Sequence, residues 1–201
     1  MRVVAGVDEV GRGSLIGPVF AAAVILNRNI NRKLLKDSKS LSKAKRENLS
    51  KYIKKNSVWA IGKASVKEIE RLNILNASLL AMTRALKKLK KKPKFVLVDG
   101  NRSPKIKNLK FKAIIKGDEK IRSISAASII AKVARDKMIT SLGKKFEGYY
   151  WHKNYGYGTK QHLKAIKTLG VTSHHRKNFS PINKIKLVSR RNTTSCCLKK
   201  T

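Results

Sequence analysis

RVVAGVDEVGRGSLIGPVFAAAVIL, residues 2–26, contains the two apolar runs that decide the fold. Residues 2–7 and 19–26 are short and rich in branched and small apolar side chains, so each run predicts a buried strand. Between them lie three glycines and a proline: Gly11, Gly13, Gly17 and Pro18. Such residues favour tight connections, and we therefore expect the two strands to pair as an antiparallel hairpin.

The rest of the chain alternates between strand and helix patterns. Further strands are predicted at residues 57–65, 95–98 and 111–115. Helices are predicted at residues 42–55, 65–73, 76–90, 123–142 and 159–170. Three early strands in series, followed by strands interleaved with helices, indicate an α/β fold around a mixed sheet.

The charge balance points to a polyanionic partner. The 201 residues include 48 Lys plus Arg against 11 Asp plus Glu, a formal net charge of +37. A positive field of this size attracts nucleic acid and makes binding dependent on salt. Part of the Lys excess also suits a solvated surface with no binding role, so charge alone does not define the function.

The length and the ends of the chain suggest one intracellular domain. We expect residues 1–182 to form a single domain and residues 186–201, which are polar and basic, to form a disordered tail. Cys196 and Cys197 are expected to be free thiols in that tail. Neither a secretory signal nor a membrane span is predicted, which favours a cytoplasmic protein.

Acidic residues are rare in this chain, so their positions are informative. Four of them follow predicted strands: Asp8, Glu9, Asp99 and Asp118. Functional groups of α/β proteins gather at strand ends, where a buried strand fixes their position. Asp8 and Glu9 can converge only if their strand ends or bulges there, because neighbouring strand residues point to opposite faces. Asp99 and Asp118 also suit ordinary turns, and Glu119 is a second choice for Asp118.

Converging carboxylates would repel one another, and a divalent cation would relieve that repulsion. Mg²⁺ or Mn²⁺ suits a set of oxygen ligands. Three of the four histidines, His162, His174 and His175, are not spaced like a zinc site, and we favour structural or phosphate-binding roles for them. Arg135 and Asp136, late in the predicted helix at residues 123–142, suggest a structural ion pair.

Residues 7–19, VDEVGRGSLIGPV, resemble the opening signature of ribonuclease HII, the type 2 ribonuclease H. Further matches occur in the family's order: DSKSLS at 37–42, NILNAS at 73–78, VDG at 98–100, GD at 117–118, SAASIIAKV at 125–133, RD at 135–136, GYGT at 156–159 and HR at 175–176. The resemblance implies a ribonuclease H-like fold, with a mixed five-stranded sheet flanked by helices. It also implies a small C-terminal helical segment at residues 143–182.

The resemblance assigns catalytic, metal-binding roles to the same four carboxylates, Asp8, Glu9, Asp99 and Asp118. It implies hydrolysis of the RNA strand of RNA–DNA hybrids, including single ribonucleotides embedded in duplex DNA. Two Mg²⁺ or Mn²⁺ ions would flank the scissile phosphate, and the cut would leave a 5′-phosphate and a 3′-hydroxyl. The expected partners are these hybrids and duplexes, and the protein is expected to be monomeric.

The resemblance also suggests how substrate is recognised. In similar enzymes the loop that matches Gly11-Arg12-Gly13 contacts the ribose 2′-hydroxyl at an RNA–DNA junction, and the tyrosine that matches Tyr157 packs against the adjacent deoxyribose. Without the resemblance, these residues would suggest a hairpin turn and a surface anchor. Further candidates for backbone and phosphate contacts are Lys39, Asn73, Ser125, Lys132 and Arg176. Of these, Ser125 also suits a helix start and Lys132 a solvated helix position.

Two other functions remain as alternatives. A non-catalytic, basic nucleic-acid-binding protein would suit the charge, but it has no use for acids placed after three strands. Ribonuclease HIII prefers long hybrids to single ribonucleotides and usually has an additional N-terminal domain. Because Asp8 lies so close to the first residue, we expect the type 2 enzyme.

Overall fold

The computed structural model describes residues 3–35 and 41–185. The strands are β1 (Val4–Val10), β2 (Val19–Leu26), β3 (Ser57–Ala64), β4 (Phe95–Asp99) and β5 (Lys110–Ile114). The helices are α1 (Lys43–Lys55), α2 (Val66–Lys88), α3 (Gly117–Lys120), α4 (Arg122–Lys145), α5 (Trp151–Asn154) and α6 (Lys160–Leu169), with a short 3₁₀ turn at Arg32–Leu35. The predicted tail at residues 186–201 lies outside the described residues.

The five strands form one mixed sheet in the order β3-β2-β1-β4-β5. β2 pairs antiparallel with both β1 and β3, whereas β4 pairs parallel with β1 and β5. The predicted α/β fold with a mixed five-stranded sheet, and the predicted antiparallel pairing of the first two strands, are therefore confirmed.

Helices cover both faces of the sheet. On one face α2 packs against Ala21 and Ala23 of β2, and on the other face α4 and α1 pack against Ala22 and Val24. Because β2 is buried on both faces, its sequence is a continuous apolar run with no alternation. Its alanines are small, which lets helices lie close to the sheet on both sides.

Strand β1 differs from its prediction in length. The apolar run predicted an end at Val7, but the strand continues to Val10, and Glu9 pairs with Ala21 across the ladder. The expectation that Asp8 and Glu9 follow a strand is therefore wrong, since both lie within it. The cause is tertiary: pairing with β2 stabilises an extended backbone that the low strand propensity of Asp and Glu does not favour.

Helix α2 contains the interruption that the sequence predicted between residues 73 and 76. Asn73 has φ 66° and ψ 167°, which no helix contains. Its side-chain Oδ1 accepts a hydrogen bond from the backbone N–H of Asn76 at 3.0 Å, and so caps the second part of the helix. Ser65 and Glu68 form a capping box at the first end.

The C-terminal helical segment packs on the end of α4. Trp151 of α5 and Ile166 of α6 are fully buried and form one apolar cluster with Ile139 of α4 and Ile16 of the loop between β1 and β2. This cluster joins the predicted segment at residues 143–182 to the loop that follows the first carboxylates. Within the described residues no helix is long and apolar enough to cross a membrane.

Gly6 of β1 is where α4 meets the sheet. A Cβ atom added to Gly6 would overlap the backbone of Ser123 and Ile124 at the start of α4. A glycine at this position therefore allows α4 to lie close to β1, and any side chain there would push the helix and the strand apart.

We expect Gly6→Ala to lower the free energy of unfolding by about 2 kcal/mol, as overpacking at a rigid backbone contact does. For a chain of this size that is a fall in Tm of about 6 °C. Thermal unfolding followed by circular dichroism measures it. The control is Gly13→Ala, because a Cβ there would meet nothing within 4 Å. Equal shifts in both variants would contradict the proposed packing.

Candidate active site

Two of the predicted carboxylates lie side by side in the centre of the sheet. β1 and β4 run parallel with Val7 opposite Val98, so the next residues along, Asp8 and Asp99, stand next to each other on the same face. Asp8 is 5% exposed and lies under helix α4, whose Ser128 hydroxyl is near enough to its carboxylate to lower the pKa of Asp8 in part. The strand ladder therefore fixes the separation of these two acids.

Asp118 is joined to this pair through the backbone. Oδ1 of Asp99 accepts hydrogen bonds from the N–H of Gly117 at 2.6 Å and from the N–H of Asp118 at 3.4 Å. The carboxylate thus caps the first turn of α3. Because Gly117 has no side chain, the turn can approach Asp99 closely; an added Cβ would stand 3.3 Å from Oδ1.

Glu9 is next to Asp8 in β1 and acts on it through its charge, although the strand neither ends nor bulges there as their convergence was expected to require. Its Oε1 pairs with Arg12 Nη1 at 3.1 Å, while its Oε2 is buried and has no hydrogen-bond partner among the described residues. A buried acceptor without a partner is costly. The free oxygen therefore marks a position where a ligand would be stabilising.

Electrostatic interactions connect three of the acids, Asp8, Glu9 and Asp99. Burial raises the pKa of Asp8 well above its ordinary value, and the charges of Glu9 and Asp99 raise it further. The pKa of Glu9 is raised by burial and by Asp99, although Arg12 opposes the change. The charge of Asp99 therefore makes the ionisation of both Asp8 and Glu9 more difficult.

This set of oxygen donors fits a hard divalent cation. The mutual repulsion and the unpartnered Oε2 of Glu9 are both relieved by positive charge at that point. In the described part of the chain, no three His, Cys, Asp or Glu side chains are already arranged to hold a metal ion. Binding would therefore require the carboxylates to turn toward a common centre.

The glycine loop begins directly after these acids. Gly11 has φ 90°, and a Cβ atom there would overlap the side chain of Arg135. Arg12 is exposed, and a Cβ atom on Gly13 would have open space around it. The loop therefore has a fixed first residue and an open tip.

The segment that contains Tyr157 lies against this loop. The N–H of Leu15 donates to the carbonyl of Gly156 at 2.8 Å, and the Ser14 hydroxyl donates to the same carbonyl at 3.1 Å. Tyr157 is 37% exposed. The two elements predicted to recognise an RNA–DNA junction are thus joined into one unit by hydrogen bonds.

A buried histidine fixes the backbone of that segment. His162 Nε2 accepts from the indole N–H of Trp151 at 2.9 Å, so Nδ1 must carry the proton that is donated to the Tyr157 carbonyl, also at 2.9 Å. Burial lowers the pKa of His162, and it lowers the pKa of His175 to about 4. Both histidines are therefore neutral at physiological pH. Of the two predicted roles, structural or phosphate-binding, their contacts fit the structural one.

The other predicted contacts are placed differently. Asn73 is exposed at the break in α2, and Lys132 donates to Asp136 at 3.0 Å while its ammonium lies over the Tyr155 ring. The predicted ion pair between Arg135 and Asp136 is therefore wrong, since Asp136 pairs with Lys132. Lys39 lies outside the described residues.

Two predicted phosphate contacts are fully buried. Ser125 donates its hydroxyl to the Leu35 carbonyl at 2.8 Å, and Arg176 donates to the carbonyls of Gly17 and Arg12, each at 2.9 Å. Neither side chain has exposed surface in this structure. Their contacts are internal, and Arg176 shapes the glycine loop from beneath.

On α4, sequence reasoning named Lys132 as a contact, missed Ser128 and assigned Arg135 to an ion pair. Ser128, Lys132 and Arg135 point to Asp8, Asp136 and Gly11, respectively. Their spacing of four and three residues places polar groups on one side of an otherwise apolar helix, and this signal was available.

The fold and the acidic centre define an α/β protein of the ribonuclease H-like type. Residues 5–182 match the family model described as Ribonuclease HII. The chain is 69% identical over 183 residues to Ribonuclease HII of Pelagibacter ubique, covering 91% of this chain and 98% of that protein. It is 50% identical over 184 residues to Ribonuclease HII of Paracoccus denitrificans, covering 92% and 88%.

Solved structures agree with this assignment. Ribonuclease H2 from Pyrococcus horikoshii OT3 superposes with a TM-score of 0.78 at 30% identity, covering 94% of this chain and 99% of that one. The ribonuclease HII of Archaeoglobus fulgidus, solved in a complex with PCNA, gives 0.74 at 28% identity, covering 89% and 95%. A Bst-RNase HIII mutant shares the fold, with a TM-score of 0.70 at 16% identity, covering 94% and 71%.

The chain belongs to the ribonuclease HII family. It is a hydrolase of the ribonuclease H class, which acts on RNA in RNA–DNA hybrids. This excludes the alternative that the chain is a non-catalytic, basic nucleic-acid-binding protein.

The raised pKa of Asp8 predicts that Asp8→Asn stabilises the metal-free protein. Above the raised folded-state pKa the buried charge opposes folding, and below the ordinary Asp pKa this penalty disappears. In EDTA at neutral pH we expect Tm to rise by about 3 °C, or about 1 kcal/mol. At about pH 4 the difference should nearly vanish. A gain that does not depend on pH would contradict the electrostatic cause.

Proposed function

We propose that this chain cuts RNA–DNA hybrids, including single ribonucleotides embedded in duplex DNA, at a site formed by four carboxylates: Asp8, Glu9, Asp99 and Asp118. The observation that supports it is the register of β1 and β4, which sets Asp8 beside Asp99, while Asp99 caps the turn that contains Asp118. Strand pairing and a helix cap bring these three acids near one another, and they would form a centre for cation binding once their carboxylates turn toward a common point.

The four carboxylates would hold Mg²⁺ or Mn²⁺. When bound, two such ions supply an activated water and stabilise charge on the leaving 3′ oxygen, giving 5′-phosphate and 3′-hydroxyl ends. Asp8 and Asp99 contribute fixed oxygens because the sheet prevents them from moving apart. Glu9 contributes the Oε2 atom that has no other partner among the described residues.

Substrate recognition is assigned to the joined loop and segment. The backbone of Gly11, Arg12 and Gly13 would meet the ribose 2′-hydroxyl, the group that distinguishes RNA from DNA. Tyr157 would pack on the deoxyribose that follows. Lys39, Asn73 and Lys132 are proposed to contact phosphates, which position a duplex without reading its sequence. A monomeric, cytoplasmic enzyme stays a prediction.

The test of this function is a DNA duplex that contains one ribonucleotide. We expect the purified protein with Mg²⁺ or Mn²⁺ to nick it on the 5′ side of the ribonucleotide, and denaturing gel electrophoresis measures the product. Asp8→Asn and excess EDTA should each abolish cutting. The control is Glu147→Gln, an exposed acid far along the chain that should leave the rate unchanged. Cutting that survives EDTA would refute the metal assignment.

Tyr157→Ala should reduce cutting at a lone ribonucleotide by about tenfold, since the deoxyribose would lose the ring that positions it and small misplacements of substrate have effects of this size. Within a long RNA stretch the enzyme can cut at many positions, so the loss of activity there should be smaller. The matched control is Tyr150→Ala, which removes a ring that is 39% exposed, close to the 37% of Tyr157. Equal losses on both substrates would count against junction recognition by Tyr157.

A further inference from the structure

We propose that Arg135 is a positioning residue for ribonucleotide selection: it holds the Gly11–Gly13 loop and the Tyr157 segment at a fixed separation without touching substrate. This inference rests on the proposed function, because it explains how that function discriminates between substrates. Arg135 lies on α4, and its guanidinium reaches both elements from beneath.

The contacts of Arg135 link two distant parts of the chain. Nη1 donates to the Tyr155 carbonyl at 3.2 Å, and Nη2 donates to the Ile16 carbonyl at 3.4 Å. The guanidinium carbon stands 5.7 Å from the centre of the Tyr157 ring. The planar guanidinium thus fixes the backbone at both Ile16 and Tyr155, and it lies near the Tyr157 ring that would meet the substrate.

Gly11 shows that the loop is built around this side chain. Its φ of 90° favours glycine, and an added Cβ would overlap Nε and Cδ of Arg135. The loop backbone therefore rests directly on the arginine. A shift of Arg135 would move the first residue of the loop, which stands only two positions after Glu9.

Stability alone does not explain a cation at this position. Arg135 has no exposed surface and, within the described residues, forms no ion pair, while its Nε has no hydrogen-bond partner. Burial and the resulting loss of hydration disfavour such a charge, and an apolar side chain of similar volume is often as stable or more stable. An apolar residue could not provide the two N–H donors, Nη1 and Nη2, that bind the Tyr155 and Ile16 carbonyls.

Arg176 offers a comparison within the same molecule. It too is buried, and it donates to the carbonyl of Arg12 in the Gly11–Gly13 loop and to that of Gly17 at the end of the connection to β2. Of these two buried arginines, Arg135 is the one that also donates a hydrogen bond to the segment that contains Tyr157. It therefore adds a side-chain support to the direct bonds that Ser14 and Leu15 make with Gly156.

The functional experiment compares kcat/KM for a lone-ribonucleotide duplex with kcat/KM for a continuous hybrid, in Arg135→Met, Arg135→Lys and the wild type. We expect the ratio to fall about tenfold in both variants, since small displacements of positioning groups have effects of this size. Lysine keeps the charge but cannot span both carbonyls in one plane.

The ratio of the two kcat/KM values, measured on one preparation, does not depend on the fraction of protein that is folded. Rescue by lysine, or an unchanged ratio, would overturn the proposal.

A second measurement tests the link without substrate. Hydrogen exchange of the Leu15 and Tyr157 amides should become faster in Arg135→Met, because both elements lose their common support. The control is Ile130→Val, which alters a buried residue on the same helix in a different apolar cluster. Unchanged exchange at both amides would overturn the link. A wild type that cuts hybrids but not lone ribonucleotides would instead refute the proposed function, while the exchange result would still decide the link.

Discussion

The contact between helix α4 and strand β1 at Gly6 determines how α4 lies over Asp8 and the glycine loop. With no side chain between them, the helix lies directly on the strand and runs in the same direction. It reaches Asp8 through Ser128 and Gly11 through Arg135. A side chain at Gly6 would therefore disturb both the carboxylates and the glycine loop, although it touches neither.

The positive charge that would attract nucleic acid and the acidic groups proposed for hydrolysis lie in different parts of the protein. The formal charge of +37 draws in a polyanion over the whole surface. At the centre of the sheet the sign reverses, because Asp8, Glu9 and Asp99 are close enough to raise the pKa of Asp8. A phosphate is repelled there unless a divalent cation lies between it and the acids. Strand pairing keeps the acids together against their own repulsion, as a flexible loop could not.

Much of this arrangement could be predicted from the sequence. Buried strands give apolar runs, and rare acids after those runs indicated the site, because both signals are local. The extension of β1 from Val7 to Val10 could not be predicted, since it depends on pairing with β2 rather than on propensity. Arg135 was misinterpreted for a similar reason: its partners, Ile16 and Tyr155, are chosen by tertiary packing.

The two halves of the site are completed at different points along the chain. All four carboxylates occur by Asp118, whereas the bond from the Ser14 hydroxyl to the Gly156 carbonyl joins residues 142 positions apart. Contacts so distant in sequence form late, because closing a long loop costs conformational entropy. On the ribosome the proposed catalytic residues therefore emerge well before the segment proposed to choose their substrate, and the contacts that join that segment to the loop form last.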